Sequence, residues 1–188
     1  AYTAYSGGEV WANEKLVERM RAWVREGHGF IGVGEPTAYA KGGRYFQLAD
    51  VMGVDKELGF TLGEDKYNIE KKAHFITEDV EGEIDCGEGM KNVYALSGAE
   101  VLDIEFSDRF KRNVNVGEVK LAANDYGKGR GVYMAGLPYS AQNARLLYRA
   151  MFWAAHKEEE MYRAFSTNPD TECSYYPDLN CYAVVNNA

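Results

Sequence analysis

The run from Gly29 to Asp50 constrains the fold of this chain more than any other stretch. A short apolar segment, Phe30 to Val33, suits a buried strand and ends in glycine. The chain then passes through a Glu35-Pro36 turn and reaches a glycine pair, Gly42-Gly43, flanked by Lys41 and Arg44. From Arg44 to Met52 an amphipathic pattern predicts a helix, ended by Gly53. Strand, loop and helix in that order put the loop where α/β proteins carry their chemistry.

The flanking segments extend this pattern. Asn13 to Arg25 predicts a helix with Leu16, Val17, Met20, Trp23 and Val24 on one face and Gly27 as its stop. Burying five such side chains contributes on the order of 10 kcal/mol gross. Ordering the helix costs about 1 to 2 kcal/mol per residue, so it must dock on something larger. Helix, strand and helix predict an α/β fold, a mostly parallel sheet flanked by helices. Further strands are expected at His74 to Thr77, Val93 to Leu96, Val101 to Phe106 and Val116 to Ala123. A tight turn, Tyr126 to Arg130, joins the last of these to Gly131–Ala135 as a hairpin. Pro138 and Ser140 open the longest helix, whose stripe is Leu146, Leu147, Ala150, Met151, Ala154 and Ala155.

A Ser-Thr-Asn-Pro-Asp stretch follows Phe165 and reads as a linker, which divides the chain into a domain over 1–165 and a tail over 166–188. Ala1 to Gly8 reads as a loop following a strand that lies upstream. Asn180 to Asn187 reads as a strand with no partner of its own. Both ends therefore predict an excised segment of a larger protein.

A net charge of -8 argues against non-specific binding to nucleic acid or to an anionic membrane surface. No apolar run approaches the roughly 18 residues of a membrane span. Cys86, Cys173 and Cys181 fit neither a disulfide framework nor a zinc pattern, and read as reduced thiols of a cytoplasmic protein.

Four constellations bear on chemistry. Gly27-His28-Gly29-Phe30-Ile31-Gly32 matches a dinucleotide fingerprint by letters, but it follows a helix and runs into a strand, the reverse of what that motif needs. A glutaminase needs a cysteine on the turn after a strand and a distant His-x-Glu. His156-Lys157-Glu158 has the spacing but is expected within a helical run, and the turn after Val33 offers Gly34 and Glu35 rather than cysteine. Glu35 is suited to acid or base work, yet glycosidase chemistry needs a second carboxylate that the chain does not identify. Lys41-Gly42-Gly43-Arg44, expected at a helix N-terminus, is suited to contact an anion or a sugar. Of the 14 tyrosines, Tyr2, Tyr5, Tyr39, Tyr175, Tyr176 and Tyr182 lie outside the strong helices, where rings seal interfaces or stack on sugars.

Several segments together carry a family resemblance: Gly8 to Asn13, Gly29 to Ala38, Phe46 to Glu57, Gly136-Leu137-Pro138-Tyr139-Ser140, and Tyr182 to Asn187. The chain resembles, over nearly its whole length, the middle domain of the 1,3-β-galactosyl-N-acetylhexosamine phosphorylases, also called lacto-N-biose phosphorylases. The resemblance implies a class I glutamine amidotransferase-like (flavodoxin-like) α/β fold with its first strand missing, beside an N-terminal TIM barrel and ahead of a β-rich domain. It also implies a parent of glycosyltransferase type that uses phosphate to split galactosyl-β-1,3-N-acetylhexosamine into α-galactose 1-phosphate and the free N-acetylhexosamine. Such enzymes are homodimers without metal or organic cofactor, and their catalytic acid belongs to the barrel.

No catalytic residue is therefore expected in this chain, which alone should be inactive. Its expected contribution is the edge of the barrel's pocket, formed by Glu35, Pro36, Thr37, Lys41, Gly42, Gly43 and Arg44. The alternatives are a purely structural or oligomerisation module and a stand-alone amidotransferase-like hydrolase.

Overall fold

The computed structural model describes residues 7–58, 70–106, 117–168 and 170–186. Tyr2, Tyr5, the first six residues of the opening loop, Val116 and Asn187 lie outside the described residues.

The chain enters through a 3-10 turn at Glu9–Ala12 and helix α1 at Glu14–Arg25. Asn13 caps that helix, its side chain accepting from the N–H groups of Lys15 and Leu16. Val17 and Val24 are buried as the periodicity predicts. Trp23 is not: it is exposed and stacks on the His28 imidazole at 4.5 Å.

Strands β1 (Gly29–Val33), β2 (Ala38–Lys41) and β3 (Arg44–Phe46) come next, followed by the short helix α2 (Ala49–Met52) and β4 (Val54–Lys56). The helix expected from Arg44 is thus corrected. Its first three residues pair with β2 instead, and only one turn of helix precedes Gly53, whose left-handed φ of 72° ends it. A two-residue glycine loop fits a hairpin, and hairpin pairing satisfies the backbone groups of Arg44–Phe46 before a helix can claim them. His74 to Thr77 is likewise a 3-10 turn rather than a strand, with the His74 ring accepting from the Ile76 N–H.

The rest of the described chain contributes β5 (Val93–Ala95), β6 (Glu100–Phe106), β7 (Gly117–Tyr126), β8 (Gly129–Met134), α3 (Ala141–Ala154), the short α4 (Glu158–Met161), β9 (Thr171–Tyr176) and β10 (Cys181–Asn186). The main sheet runs β1-β8-β7-β6. Only β1 and β8 are parallel; β8 with β7 and β7 with β6 are antiparallel. The other pairs, β2-β3, β4-β5 and β9-β10, are antiparallel as well.

The expected mostly parallel, flavodoxin-like sheet is therefore wrong. This is a mixed α/β fold whose pairing is mainly antiparallel. The reason is local: the tight turn at Gly127-Lys128 reverses the chain immediately, and a parallel neighbour would have needed a crossover of a dozen residues or more. The strand expected to lack a partner, β10, also has one in β9.

Both faces of the main sheet are covered. Along β8, Val132 and Met134 face α3, where they meet Leu146, Ala150 and Trp153. Tyr133 and Ala135 face the other way, toward Phe46, Met52, Val54 and Val93. Ser140 caps α3 by accepting from the Asn143 N–H. Met151 and Ala155, placed on the buried stripe by periodicity, are exposed, whereas Asn143, Arg149 and Trp153 are buried. Arg149 explains part of that shift. Its guanidinium spans Asp79 (2.6 and 2.7 Å), Glu78 (2.9 Å) and the Phe75 carbonyl (2.9 Å), which ties α3 to the 3-10 turn below it.

Candidate functional site

Because β1 and β8 run parallel, their carboxyl ends open on the same edge of the sheet, with Val33 opposite Met134. In open α/β sheets, such an edge is where ligands bind. Here Gly34 leaves β1 with a left-handed φ of 70°, and its N–H donates to the Met134 carbonyl at 2.9 Å. The chain must turn under itself at this point. A Cβ on Gly32 would come within 2.6 Å of Pro36 and of the Met52 sulfur, so only glycine lets the turn close over the strand.

That closure determines which of the seven expected residues face outward. Pro36 is buried against Gly32. Thr37 is 1 % exposed and adopts a φ of 60°; its hydroxyl accepts from the Leu48 N–H (3.1 Å) and its carbonyl from the Gln47 N–H (3.0 Å). These two residues hold the loop down and offer nothing to a ligand.

Glu35 is half-buried, and the Tyr45 hydroxyl donates to its Oε1 at 2.8 Å. The Tyr45 phenol is pushed up to about 12, first by burial and then by the neighbouring Glu35 carboxylate. Beside it, the buried Tyr133 hydroxyl reaches the Gly34 carbonyl at 3.4 Å, and burial pushes that phenol up as well. Glu35 thus sits at the sheet edge with one oxygen fixed by a protonated donor, an arrangement able to accept further hydrogen bonds from a hydroxylated ligand.

The remaining residues have other partners. Gly42 and Gly43, with φ of 63° and 78°, form the two-residue turn joining β2 to β3, the backbone combination of a type I′ hairpin. The expected helix N-terminus does not exist there, so no helix dipole attracts an anion to it. Lys41 pairs with Glu14 at 2.8 Å, both side chains solvent-facing. Arg44 lies 3.7 Å from the buried Asp55 carboxylate and lines a polar hollow with Asp50, Asn124 and Tyr126.

Sequence reasoning missed Tyr45, Tyr133 and Asp55. The Oδ1 of Asp55 accepts from the backbone N–H groups of Tyr45 (3.1 Å), Phe46 (2.9 Å) and Lys56 (2.9 Å), which locks β3 to β4; burial pushes its carboxyl up despite those donors. A glycine pair followed by the alternating Arg44-Tyr45-Phe46 was the available signal for a hairpin.

The thiol groups point away from hydrolase chemistry. Burial pushes the Cys86 thiol up, opposing the thiolate a nucleophile requires. His156 is not inside a helix, as expected, but in a left-handed conformation between α3 and α4. Among the described residues no group of three or more His, Cys, Asp or Glu is placed to hold a metal ion, and no helix is long and apolar enough to cross a membrane.

Comparison with known proteins supplies the family. Residues 1–159 match the model of the lacto-N-biose phosphorylase central domain, and residues 165–188 match that of the lacto-N-biose phosphorylase C-terminal domain. This chain belongs to the lacto-N-biose phosphorylase family. It is 50 % identical over 187 residues to a 1,3-β-galactosyl-N-acetylhexosamine phosphorylase of Lachnoclostridium phytofermentans, covering 100 % of this chain and 24 % of that protein. A phosphorylase of the same name from Bifidobacterium longum subsp. longum is 43 % identical over 218 residues, covering 98 % and 28 %. A D-galactosyl-β-1→4-L-rhamnose phosphorylase of L. phytofermentans is 31 % identical, covering 99 % and 24 %. The chain thus spans about a quarter of the length of the curated relatives it matches. Among solved structures, a β-galactosidase from Bacillus circulans sp. alkalophilus aligns with a TM-score of 0.48 at 17 % identity, over 86 % of this chain and 23 % of that one.

Proposed function

We propose that this lacto-N-biose phosphorylase segment is the central domain of an enzyme that splits galactosyl-β-1,3-N-acetylhexosamine with phosphate, and that its loop from Gly34 to Arg44 closes the edge of a pocket built by a neighbouring TIM barrel. A phosphate oxygen attacks the galactosyl anomeric carbon and the glycosidic C–O bond breaks. The departing oxygen takes a proton from an acid of the barrel, and inversion leaves α-galactose 1-phosphate and the free N-acetylhexosamine. The domain's contribution is to exclude water, so that phosphate is the nucleophile that reaches the carbon.

The observation that carries this reading is Glu35. It stands at the shared carboxyl edge of β1 and β8, oriented by Tyr45 and able to accept from a sugar hydroxyl. In this reading Arg44 and Lys41 make the outer rim, residues 1–165 form the central domain, and residues 166–188 begin the β-rich one. The parent works as a cytoplasmic homodimer without metal or organic cofactor.

The test is phosphorolysis of lacto-N-biose by the full-length enzyme. Glu35→Gln and Arg44→Ala are each expected to lower kcat/KM by about tenfold, the equivalent of one hydrogen bond to a charged group. Unchanged kinetics in both variants would overturn the pocket role.

A second reading, an assembly module, is favoured by the β9-β10 hairpin, where Tyr176, Leu179, Tyr182 and Val184 are all exposed. Loss of the parent dimer on Tyr182→Ser and Val184→Ser, with the loop variants kinetically silent, would select that reading.

A further inference from the structure

Away from the loop, a cavity of about 390 Å³ lies between the start of α3, the segment after Ala164, and strand β9. Its size falls within the range of small-molecule sites. One wall is aromatic. Tyr139, just ahead of α3, is 96 % exposed, and Tyr148 stands further along the helix with its ring edge-on to Phe152. The opposite wall is polar: Glu172 and Ser174 are two residues apart on β9 and so project from the same face.

Arg145 joins the two walls. Its guanidinium lies over the Phe165 ring at 4.7 Å, donates to the Asn168 carbonyl at 3.1 Å, and has Asp79 3.8 Å away. The cavity floor is therefore anchored before any ligand arrives.

The charge pattern narrows the ligand. Arg145 is already balanced by Asp79, Glu172 adds a carboxylate to the lining, and the whole chain carries -8. An anion would be repelled. Flat aromatic faces opposite a carboxylate, a hydroxyl and a planar guanidinium suit a neutral molecule with an apolar face and a rim of hydroxyl groups.

We propose that this cavity is a saccharide-binding site, separate from the loop that follows β1. The sugar ring lies against Tyr148 and Tyr139, and its hydroxyl groups exchange hydrogen bonds with Glu172, Ser174 and Arg145.

Saturation-transfer NMR on the 188-residue chain tests this, with methyl β-galactoside and N-acetylglucosamine as sugar probes and inorganic phosphate followed separately by its own line width. Transfer to at least one sugar is expected. Tyr148→Ala, which removes a ring face, and Ser174→Arg, which fills the cavity, should each reduce it by about fivefold or more. The unfolding midpoint of Ser174→Arg should be unchanged, since Ser174 is exposed. Glu35→Gln should leave transfer intact, which separates this site from the loop. Absence of transfer to both sugars, transfer that survives both cavity variants, transfer lost on Glu35→Gln, or binding of phosphate in preference to sugar would each overturn the proposal.

Discussion

The Tyr45 hydroxyl donates to Glu35 at 2.8 Å, across a hairpin whose strands the sequence pattern had assigned to a loop and a helix. This bond joins the residue that leaves β1 to the strand that folds back over it, so the pose of Glu35 depends on β3. A phenol that stays protonated remains a donor. The Tyr45 phenol is raised from 10.0 to about 12 in the folded state, so its contribution to stability is complete below pH 10 and is lost as pH rises through 12. Denaturant unfolding of the wild type and of Tyr45→Phe should therefore differ at pH 8, and the difference should shrink between pH 10 and 12.

The Gly42-Gly43 turn needs left-handed backbone at both positions. Replacing Gly43 by alanine should cost about 1 kcal/mol, whereas Gly42→Asn, with a residue that tolerates this region, should cost less. A Cβ meets nothing within 4 Å at either position, so the penalty is conformational rather than steric crowding. Equal urea midpoints for Gly43→Ala and the wild type would contradict the turn assignment.

Arg149 is 2 % exposed and satisfies two carboxylates and a carbonyl. Truncation to alanine leaves Asp79 without its bidentate partner and opens a void beneath Phe165. The expected loss is about 3 to 5 kcal/mol. Arg149→Lys should recover little of it, because an ammonium cannot reproduce the forked geometry. Equilibrium unfolding of both variants checks this.

His74 accepts the Ile76 N–H through Nδ1, packs edge-on to Trp153, and is held below its ordinary value of 6.5, chiefly by burial. Glu100, Asp125 and Glu158 oppose that shift, while Arg130 reinforces it. A depressed folded value means that the unfolded chain takes up the proton first. Stability is therefore complete above pH 6.5 and declines as pH falls through the folded value. His74→Asn, which retains a capping acceptor, should flatten this part of the pH–stability curve, as read from thermal midpoints between pH 5 and 8.

Cys86 is buried with its thiol held up, while Cys181 is exposed. Iodoacetamide at pH 8 should label Cys181 rapidly and Cys86 only after unfolding, as followed by peptide mass. Early labelling of Cys86 would return the hydrolase alternative to consideration.

Sequence alone determined the elements whose signals are local. Asn13 and Ser140 cap helices because their side chains reach N–H groups two or three residues on, and the Tyr126–Arg130 turn makes a hairpin because nothing longer fits between its strands. Family membership was legible too, since it rests on motifs spread over the whole chain. Pairing direction was not. That β8 lies parallel to β1 yet antiparallel to β7 is decided between residues about a hundred positions apart, and no periodicity records it. The same limit governed the loop. Glu35, Pro36 and Thr37 are neighbours in sequence, but only tertiary packing decided that Pro36 and Thr37 turn inward to Gly32 and Leu48 while Glu35 turns toward Tyr45. Burial and hydrogen-bond satisfaction are properties of what surrounds a side chain, and those surroundings exist only once the chain has folded.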